Sequence, residues 1–321
     1  MNANDETSRR EVLRALGAMA AGAGLLGSGC ASRPGMLAEP VKWSTGLQLP
    51  RTRVPADACD CHHHIYDRRH PWAPEATLKP GDALVADYRQ LQKRIGTSRN
   101  VIVQPSSYGT DNRLLMASLA QFGGRARGVA VVNTSVSDDQ LRELHAAGVR
   151  GIRFNLAPPG TTTLSMVKPL AARIAPLGWH VQVHAPANDL IQMKAVFSDL
   201  PCPVVFDHLG RLPQPGALQH PTHAMIRDLI QRDRAYVKLS GFYFESRAGA
   251  PGYADSAEVA RIYAADAPER VVWGSDWPHP TEQAKTIPDD AALLDALAQA
   301  VPSEAARHKL LVDNPTRLYF T

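Results

Sequence analysis

Short apolar runs recur along the chain from residue 58 onward, and segments with helical spacing follow many of them. A run of four to eight apolar residues between turn residues is typical of a buried strand, and apolar residues at three- and four-residue intervals predict a helix. Strands are predicted over residues 58–65, 100–104, 128–133, 149–155, 180–184, 203–208, 236–240 and 271–276. Helices are predicted over residues 114–122, 140–147, 167–174, 189–197 and 225–230.

The repetition of strand and helix predicts the fold class. A β-then-α unit repeated eight times predicts an α/β fold in which eight parallel strands close into a (β/α)8 TIM barrel with the helices outside. A doubly wound open sheet is the alternative, but such a sheet carries a Gly-rich phosphate-binding turn after its first strand. Histidines occupy that place here. The barrel is expected to form one catalytic domain over residues 56–321.

The composition agrees with one large globular domain. Of the 321 residues, 44% are hydrophobic and 21% are charged. This supplies enough core for a barrel of roughly 250 residues. The formal net charge of +4 is small, and part of it lies near the N-terminus. Because nucleic-acid binding requires a clustered basic surface, the sequence predicts no nucleic-acid partner.

Residues 1–30 resemble a twin-arginine export leader. Arg9 and Arg10 precede a weakly apolar, Ala- and Gly-rich stretch over residues 15–29. That stretch is too short and too small-sided for a stable transmembrane helix. A disordered basic tail is the alternative. The order of these features predicts an exported protein, periplasmic or envelope-anchored, with residues 31–55 as a linker to the barrel.

The cysteines do not form the pattern of a disulfide framework. Cys30 is a candidate for lipidation and hence for a membrane tether, although Leu26 lies one position further from it than a lipobox prefers. The remaining Cys59, Cys61 and Cys202 are an odd number in a long chain, so buried thiols are expected. Side chains alternate along a strand. Cys59 and Cys61 are therefore expected to face away from the histidines, into the layer between strands and helices.

Polar residues gather at the predicted carboxyl ends of the strands, where TIM-barrel enzymes place their working groups. His62 and His64 share one face of the first strand. Each such residue has a structural alternative, because a buried His usually satisfies a backbone carbonyl and an Asp after a strand often caps a helix. Their convergence from several strands favours a functional site. The candidates after the other strands are Ser106, Tyr108, Arg153, Asn155, His184, His208, Arg211, Tyr243 and Asp276.

Five motifs over residues 60–64, 104–112, 151–155, 206–211 and 273–280 resemble those of the amidohydrolase superfamily. Among its members, the sequence is most similar to lactone-acting enzymes of the 2-pyrone-4,6-dicarboxylate hydrolase and galactarolactone isomerase type. The resemblance covers about residues 56–321 and implies a barrel that opens a carboxylate-bearing lactone or cyclic ester. A pyrone dicarboxylate or a sugar-acid lactone is the expected substrate class.

The resemblance also implies roles for the candidate residues. It makes His62, His64, His184 and Asp276 the catalytic cluster. Opening a lactone requires an activated water and a stabilised oxyanion, so Asp276 would accept the proton of water while the imidazoles polarise the carbonyl. Arginine suits carboxylate recognition, and an internal ion pair with Asp207 or another acid is the alternative role for either Arg153 or Arg211. The expected substrate-binding residues are Arg153, Arg211, Ser106, Tyr108, Asn155, His208 and Tyr243.

The expected cofactor is either none or one divalent metal such as zinc. Three His and one Asp, namely His62, His64, His184 and Asp276, could hold one ion with an open position. The pyrone-dicarboxylate hydrolases that the chain resembles work without metal. Strand four ends in Arg153 and Asn155, and the fixed positive charge there disfavours a second ion.

Three functions remain open from the sequence. A lactone hydrolase releases acid from its substrate, whereas a lactone isomerase of the galactarolactone type interconverts ring sizes. A non-catalytic envelope protein that binds acidic ligands is the third. The imidazole cluster together with Asp276 favours an enzyme over a binding protein.

Overall fold

A computed structural model of the chain describes residues 37–157 and 160–321. Its eight strands are parallel and pair in chain order as one sheet, as the repeated strand-helix unit predicts. The predicted (β/α)8 barrel is thereby confirmed. The strands are β1 (Cys59–His63), β2 (Arg99–Val103), β3 (Ala126–Ala130), β4 (Val149–Asn155), β5 (His180–His184), β6 (Val204–Phe206), β7 (Ala235–Leu239) and β8 (Val271–Trp273).

Backbone hydrogen bonds bring the first and last strands together. The amide of Asp276 donates to the carbonyl of His62 at 2.8 Å, and the amide of His64 donates to the carbonyl of Trp277 at 2.8 Å. Both bonds lie at the carboxyl ends of β1 and β8. The segment that carries Asp276 is thus held directly against the segment that carries the histidines.

Helices surround the strands on the outside, and several have the caps that their sequences predict. The first helix ends at Gly96 in the left-handed region with φ of 83°, and Ser137 and Gln140 form a capping box at the start of the third. The helices are α1 (Val85–Ile95), α2 (Arg113–Gln121), α3 (Asp138–Ala146), α4 (Val167–Ile174), α5 (Ala187–Gln192), α6 (Lys194–Ser198), α7 (Pro221–Gln231), α8 (Ala254–Asp266), α9 (Asp290–Ala300), α10 (Glu304–His308) and α11 (Asn314–Tyr319). Among the described residues, no helix is long and apolar enough to cross a membrane.

Two apolar layers fill the molecule. The larger layer lies between the outward faces of the strands and the helices, and it includes Ile102, Phe154 and Val183. The smaller layer fills the barrel below the site. Its members are Cys59, Cys61, Val101, Val103, Val129, Val205, Tyr236, Val272, Leu318 and Tyr319.

The expected orientation of Cys59 and Cys61 is wrong. Both thiols are buried and free, as predicted, but they belong to the inner layer of the barrel. The pairing of β1 with β2 shifts register between Asp60 and His63. This irregularity lets Cys61 and the next residue, His62, both face inward, so the strict alternation assumed from the sequence does not hold at that point.

The described part of the predicted linker packs against the barrel. The indole of Trp43 donates to the carbonyl of Asp82 at 2.8 Å, and the indole of Trp277 donates to the carbonyl of Lys42 at 2.8 Å. Residues 37–55 are therefore an arm of the barrel and not a free spacer. The predicted leader, including Arg9, Arg10 and Cys30, lies outside the described residues.

Candidate active site

The end of β1 is fixed by a buried carboxylate, Asp60. Its oxygens accept hydrogen bonds from the Ser275 amide at 2.9 Å, the Ser275 hydroxyl at 2.6 Å, the His62 amide at 3.1 Å and the Tyr88 hydroxyl at 3.0 Å. Gly274 allows the same close approach, since a Cβ at this position would lie 2.4 Å from Cβ of His62. The motifs around Asp60 and Gly274 thus lock the first strand to the eighth.

The two histidines of the His-x-His pair point into the barrel together with Asp276. Nε2 of His62 and Nε2 of His64 are 3.3 Å apart. Oδ1 of Asp276 lies 3.4 Å from the first and 3.5 Å from the second. His63 points outward, where its ring stacks on Tyr88. The predicted pairing of His62 and His64 on one face is what the structure shows.

A polar group contacts the far side of each imidazole, and Nε2 of each ring points toward Asp276. Nδ1 of His64 lies 2.8 Å from the carbonyl of Val103, and Nδ1 of His62 lies 3.2 Å from Oδ1 of Asp207. A third imidazole, His208, has the same arrangement. Its Nδ1 lies 2.9 Å from the Ser240 hydroxyl, and its Nε2 lies 3.8 Å from Oδ1 of Asp276. Contacts of this kind orient histidines at metal and proton-transfer sites.

Burial sets the protonation of these groups. It lowers the pKa of His62 to about 3, and it does the same for His208. Both imidazoles are therefore neutral near pH 7. Burial opposes ionisation of Asp276, but the adjacent His208, His64 and His62 outweigh it and hold the pKa of this carboxyl well below its usual value. The site thus combines neutral imidazoles with an ionised carboxylate.

This donor set fits one divalent metal. His62, His64 and Asp276 each offer one ligand atom, and the three atoms are mutually close. Ligand atoms placed tetrahedrally at about 2.0–2.1 Å from zinc are about 3.3–3.4 Å from one another. The observed separations of 3.3–3.5 Å match that spacing. Metal binding also requires deprotonated ligands, and the pKa values of His62 and Asp276 meet that requirement.

Backbone strain coincides with the site. Four consecutive residues, from His208 to Arg211, have positive φ values of 49°, 58°, 71° and 50°. Asp276 has φ of 63°. For residues other than Gly the left-handed region is costly, and it persists at functional sites where the surrounding structure enforces it. This strained turn aims His208 and Arg211 into the barrel mouth.

The structure differs from the predicted four-residue cluster in one member, His184. Its Nε2 lies 3.1 Å from Nη1 of Arg211, and its buried Nδ1 has no hydrogen-bond partner among the described residues. His184 is absent from the group that could hold a metal with His62 and Asp276. His208, predicted as a substrate contact, lies closer to that group. The sequence places both histidines at strand ends but does not show that Arg211 lies against one of them.

The two candidate arginines have different surroundings. Nε of Arg153 lies 3.2 Å from Oδ2 of Asp207 within the barrel, which is the internal ion pair weighed as an alternative. Its terminal nitrogens have no hydrogen-bond partner in the described part of the chain. Arg211 pairs with Glu245 at 2.7 Å and lies over the ring of Phe244 at 4.3 Å. Both guanidinium groups retain donors for an acidic ligand.

Three other residues that were predicted to contact substrate, Ser106, Tyr108 and Asn155, lie outside this cluster. The hydroxyl of Tyr108 is already hydrogen-bonded to the backbone. The amide of Asn155 donates to the hydroxyl of Ser106 at 3.2 Å, and both line a small cleft beside the site. The hydroxyl of Tyr108 exchanges hydrogen bonds with the backbone of Asp67, accepting at 2.8 Å and donating at 3.1 Å. Its ring stacks on Trp72. Tyr108 therefore shapes the loop after β1, and its hydroxyl is not free for a ligand.

Tyr243 contacts the proposed base directly. Its hydroxyl donates to Oδ2 of Asp276 at 2.5 Å. The residue was predicted only as a substrate contact, because sequence spacing alone does not show which way the loop after β7 folds.

Lys238 is a site residue that the sequence analysis missed. Its ammonium donates to the carbonyl of Cys61 and to Oε1 of Gln182, each at 2.8 Å, and lies 3.2 Å from Nδ1 of His62. Burial lowers the pKa of Lys238 to about 8. The available signal was a lone lysine inside the apolar run of β7, two residues before Ser240 and hence on the same face.

Comparisons with known proteins agree with this geometry. The amidohydrolase family model matches residues 59–321. The chain is 37% identical over 290 residues to 2-pyrone-4,6-dicarboxylate hydrolase from Comamonas testosteroni, covering 87% of this chain and 95% of the relative. It is 33% identical over 286 residues to D-galactarolactone isomerase from Agrobacterium fabrum, covering 88% and 97%.

A solved structure shows the same likeness. The crystal structure of an Acinetobacter baumannii protein with citric acid bound superimposes with a TM-score of 0.73 at 25% identity, covering 83% of this chain and all of that one. The family match includes β1 with its histidine pair and β8 with the carboxylate that follows it. The chain therefore belongs to the amidohydrolase family.

Proposed function

We propose that this protein hydrolyses a lactone or cyclic ester that bears carboxylates. The observation that carries the proposal is the ionised Asp276, whose Oδ1 lies within 3.5 Å of Nε2 of both His62 and His64 at the mouth of the barrel. An ionised carboxylate is suited to taking a proton from water, and an adjacent imidazole N–H is suited to polarising a carbonyl.

The reaction follows from these groups. Asp276 accepts one proton of the attacking water while the water oxygen bonds to the carbonyl carbon. His62, whose Nδ1 faces the donor Lys238, keeps its proton on Nε2 and stabilises the negative charge that develops on the carbonyl oxygen. The ring C–O bond then breaks, and the leaving oxygen takes the proton back from Asp276. The product is the open-chain hydroxy or keto acid, and the enzyme returns to its starting state.

A divalent metal is consistent with the same residues. His62, His64 and Asp276 would hold it, with His208 adjacent. Such an ion would supply Lewis-acid polarisation of the carbonyl and a lower pKa for a bound water. Lys238, Asp207 and the other contacts described above would then orient the ligands.

The acidic character of the substrate is inferred from the arginines. Arg153 and Arg211 lie at the barrel mouth with free donors, and guanidinium groups bind carboxylates through paired hydrogen bonds. Two similar proteins support the inference: one relative is a hydrolase of a dicarboxylate, and the Acinetobacter baumannii structure contains citric acid. His184, held by Arg211, would contact the same part of the ligand.

Lactone isomerisation is the second candidate function. It is favoured by the 33% identity to D-galactarolactone isomerase over nearly the full length of that enzyme. Both reactions begin when a poised base meets an activated lactone carbonyl. They differ in whether water or a hydroxyl of the substrate forms the new C–O bond.

We also propose that residues 1–30 form an export leader. Arg9, Arg10 and the apolar stretch that follows support transport of the folded barrel to the envelope, and Cys30 supports a lipid tether. An exported location favours sugar-acid lactones or other extracellular esters over products of cytoplasmic ring cleavage.

A substrate panel tests the proposal. Purified protein is incubated with pyrone dicarboxylate, muconolactones and aldarolactones, while a pH-stat records acid release and NMR follows ring size. A hydrolase releases one equivalent of acid per ring opened. Ring interconversion without net acid would establish the isomerase, and binding without any turnover would establish the non-catalytic alternative.

A further inference from the structure

A series of hydrogen-bonded side chains leads from Asp276 to the amino end of α9. The hydroxyl of Tyr243 is 2.5 Å from Oδ2 of Asp276 and 3.1 Å from Nδ1 of His279. Nε2 of His279 is 3.2 Å from Oδ2 of Asp290, the first residue of α9. The side chains of His279 and Asp290 have no exposed surface. Neither residue has a role in the chemistry described above.

The number of protons that each group carries determines which partner donates in each of these hydrogen bonds. An ionised carboxylate only accepts hydrogen bonds, and a tyrosine has one hydroxyl proton. The hydroxyl of Tyr243 therefore donates its one proton to Asp276, and the hydroxyl oxygen of Tyr243 accepts from Nδ1 of His279. The other ring nitrogen of His279 donates to Asp290. Asp290 is in turn well placed, because a carboxylate in the first turn of a helix is stabilised by the helix dipole.

We propose that His279 and Asp290 are positioning residues that act through Tyr243 to fix the carboxylate of Asp276. A carboxylate could otherwise rotate and exchange its two oxygens. With Oδ2 held by Tyr243, Oδ1 stays directed at His62 and His64. The proposal rests on the proposed function for its kinetic consequences alone, since the contacts themselves are independent of the substrate.

The backbone supports the same conclusion. The amide of His279 donates to the carbonyl of Asp276 at 2.8 Å, which closes a tight turn between the two residues. Both have positive φ values, 53° for His279 and 63° for Asp276. Two strained residues in one short turn are costly unless the structure requires their side chains in these directions. The strained turn places the side chain of Asp276 at the site and the side chain of His279 behind it.

Kinetics of four variants test the proposal on the lactone that the unmodified enzyme turns over fastest. Tyr243→Phe and His279→Phe should each lower kcat by about 10–100-fold, the usual effect of losing such a supporting contact, with KM within about twofold. The double variant should lose no more than the larger single loss. His279→Asn should recover part of kcat, because its amide replaces the Nδ1 donor.

A buried histidine remote from the site provides the matched control for these kinetics. His223 is also a buried histidine, with Nδ1 on the carbonyl of Leu218 and no contact with the site, so His223→Phe should leave kcat unchanged. Losses that multiply in the double variant would show that Tyr243 and His279 act independently. A higher KM at unchanged kcat would make Tyr243 a substrate contact. Either result overturns the proposal.

A second readout does not depend on turnover. In a crystal structure of Tyr243→Phe, which removes a single hydroxyl, Asp276 should rotate so that Oδ1 no longer lies within 3.5 Å of Nε2 of both His62 and His64. An unmoved carboxylate would contradict the positioning role. Because this measurement needs no substrate, failure of the positioning proposal is distinguishable from failure of the lactone chemistry.

Discussion

The ammonium group of Lys238 lies 3.2 Å from Nδ1 of His62 and 3.7 Å from Oδ1 of Asp207. His62, Asp207 and His208 form a second group of mutually close ligand atoms next to the one that contains Asp276. The ammonium of Lys238 and the guanidinium of Arg153 both contact Asp207 and place positive charge in that second group. This charge disfavours a second cation beside the one that His62, His64 and Asp276 could hold.

The positive charge of Lys238 and Arg153 predicts that the protein binds at most one metal ion per chain. Protein saturated with zinc and then desalted should retain no more than about one equivalent per chain. His64→Ala should retain much less, because it removes one of three close ligand atoms, whereas His223→Phe should behave as the unmodified protein. Elemental analysis of the three samples provides the measurement. Two tightly held equivalents in the unmodified protein would disprove the argument from Lys238 and Arg153.

A second prediction concerns recognition of substrate charge. Arg211→Met removes a guanidinium at the barrel mouth and should weaken productive binding of an acidic lactone by about 1.5–3 kcal/mol, the range for hydrogen bonds to charged groups. A neutral analogue should be nearly unaffected. Arg232→Met is the control, because Arg232 pairs with Asp228 on the outside of α7. Steady-state KM values on both substrates give the comparison, and equal losses on the two would assign Arg211 to an internal ion pair with Glu245 alone.

The third prediction concerns stability in acid. Burial, followed by the charge of Lys238, lowers the pKa of His180 to about 3, against 6.5 for the free side chain. Between these values the unfolded chain binds the proton and the folded chain does not, so the free energy of unfolding falls as the pH drops below about 6.5. One such group contributes a slope of about 1.4 kcal/mol per pH unit.

A single substitution isolates the contribution of His180. Neither ring nitrogen has a partner of good hydrogen-bond geometry among the described residues, so His180→Leu removes the titrating group with little loss of hydrogen bonding. Urea unfolding between pH 5 and pH 7 should show a shallower loss of stability in this variant, by about one proton. Parallel curves for the two proteins would mean that His180 is not held neutral.

The leader provides a fourth prediction. Replacing Arg9 and Arg10 by Lys should leave the protein in the cytoplasm, because the twin arginines are the signal that the export pathway reads. Immunoblots of cytoplasmic and envelope fractions give the result. Cys30→Ala is the matched change for the lipid tether, and it should release the exported protein from the membrane fraction. Normal recovery of the Lys variant in the envelope would reject the leader.

Much of the barrel could be predicted because its strands are buried on both faces. A strand such as β5 is a short apolar run bounded by turn residues, and its predicted bounds agree with the structure. The helix predicted over residues 189–197 is instead two short helices separated at Met193, which has φ of −93° and ψ of 5°. The last helices were not predicted, because α8 and α9 are rich in Ala and their apolar residues form no narrow stripe.

The site was harder to predict than the fold. The proximity of His62, His64 and Asp276 was predictable because these residues lie at or just after the ends of strands, at the face where barrels work. The approach of His208 to Asp276 depends on the strained turn that begins at His208, and local sequence does not encode such a turn. Lys238 was overlooked because a single charge inside an apolar strand is informative only once the inner face of the barrel is known.

Turnover by Asp276→Asn is the most direct test of the proposed mechanism. Asn keeps the shape, and its carbonyl oxygen can still accept from Tyr243, but it cannot take a proton from water. The variant should bind substrate while kcat falls by roughly 10²–10⁴-fold, the usual contribution of a positioned base. Circular dichroism confirms that the variant is folded. If Asp276 merely caps the following turn, Asn replaces it without loss; unchanged turnover by a folded Asp276→Asn variant would contradict the mechanism.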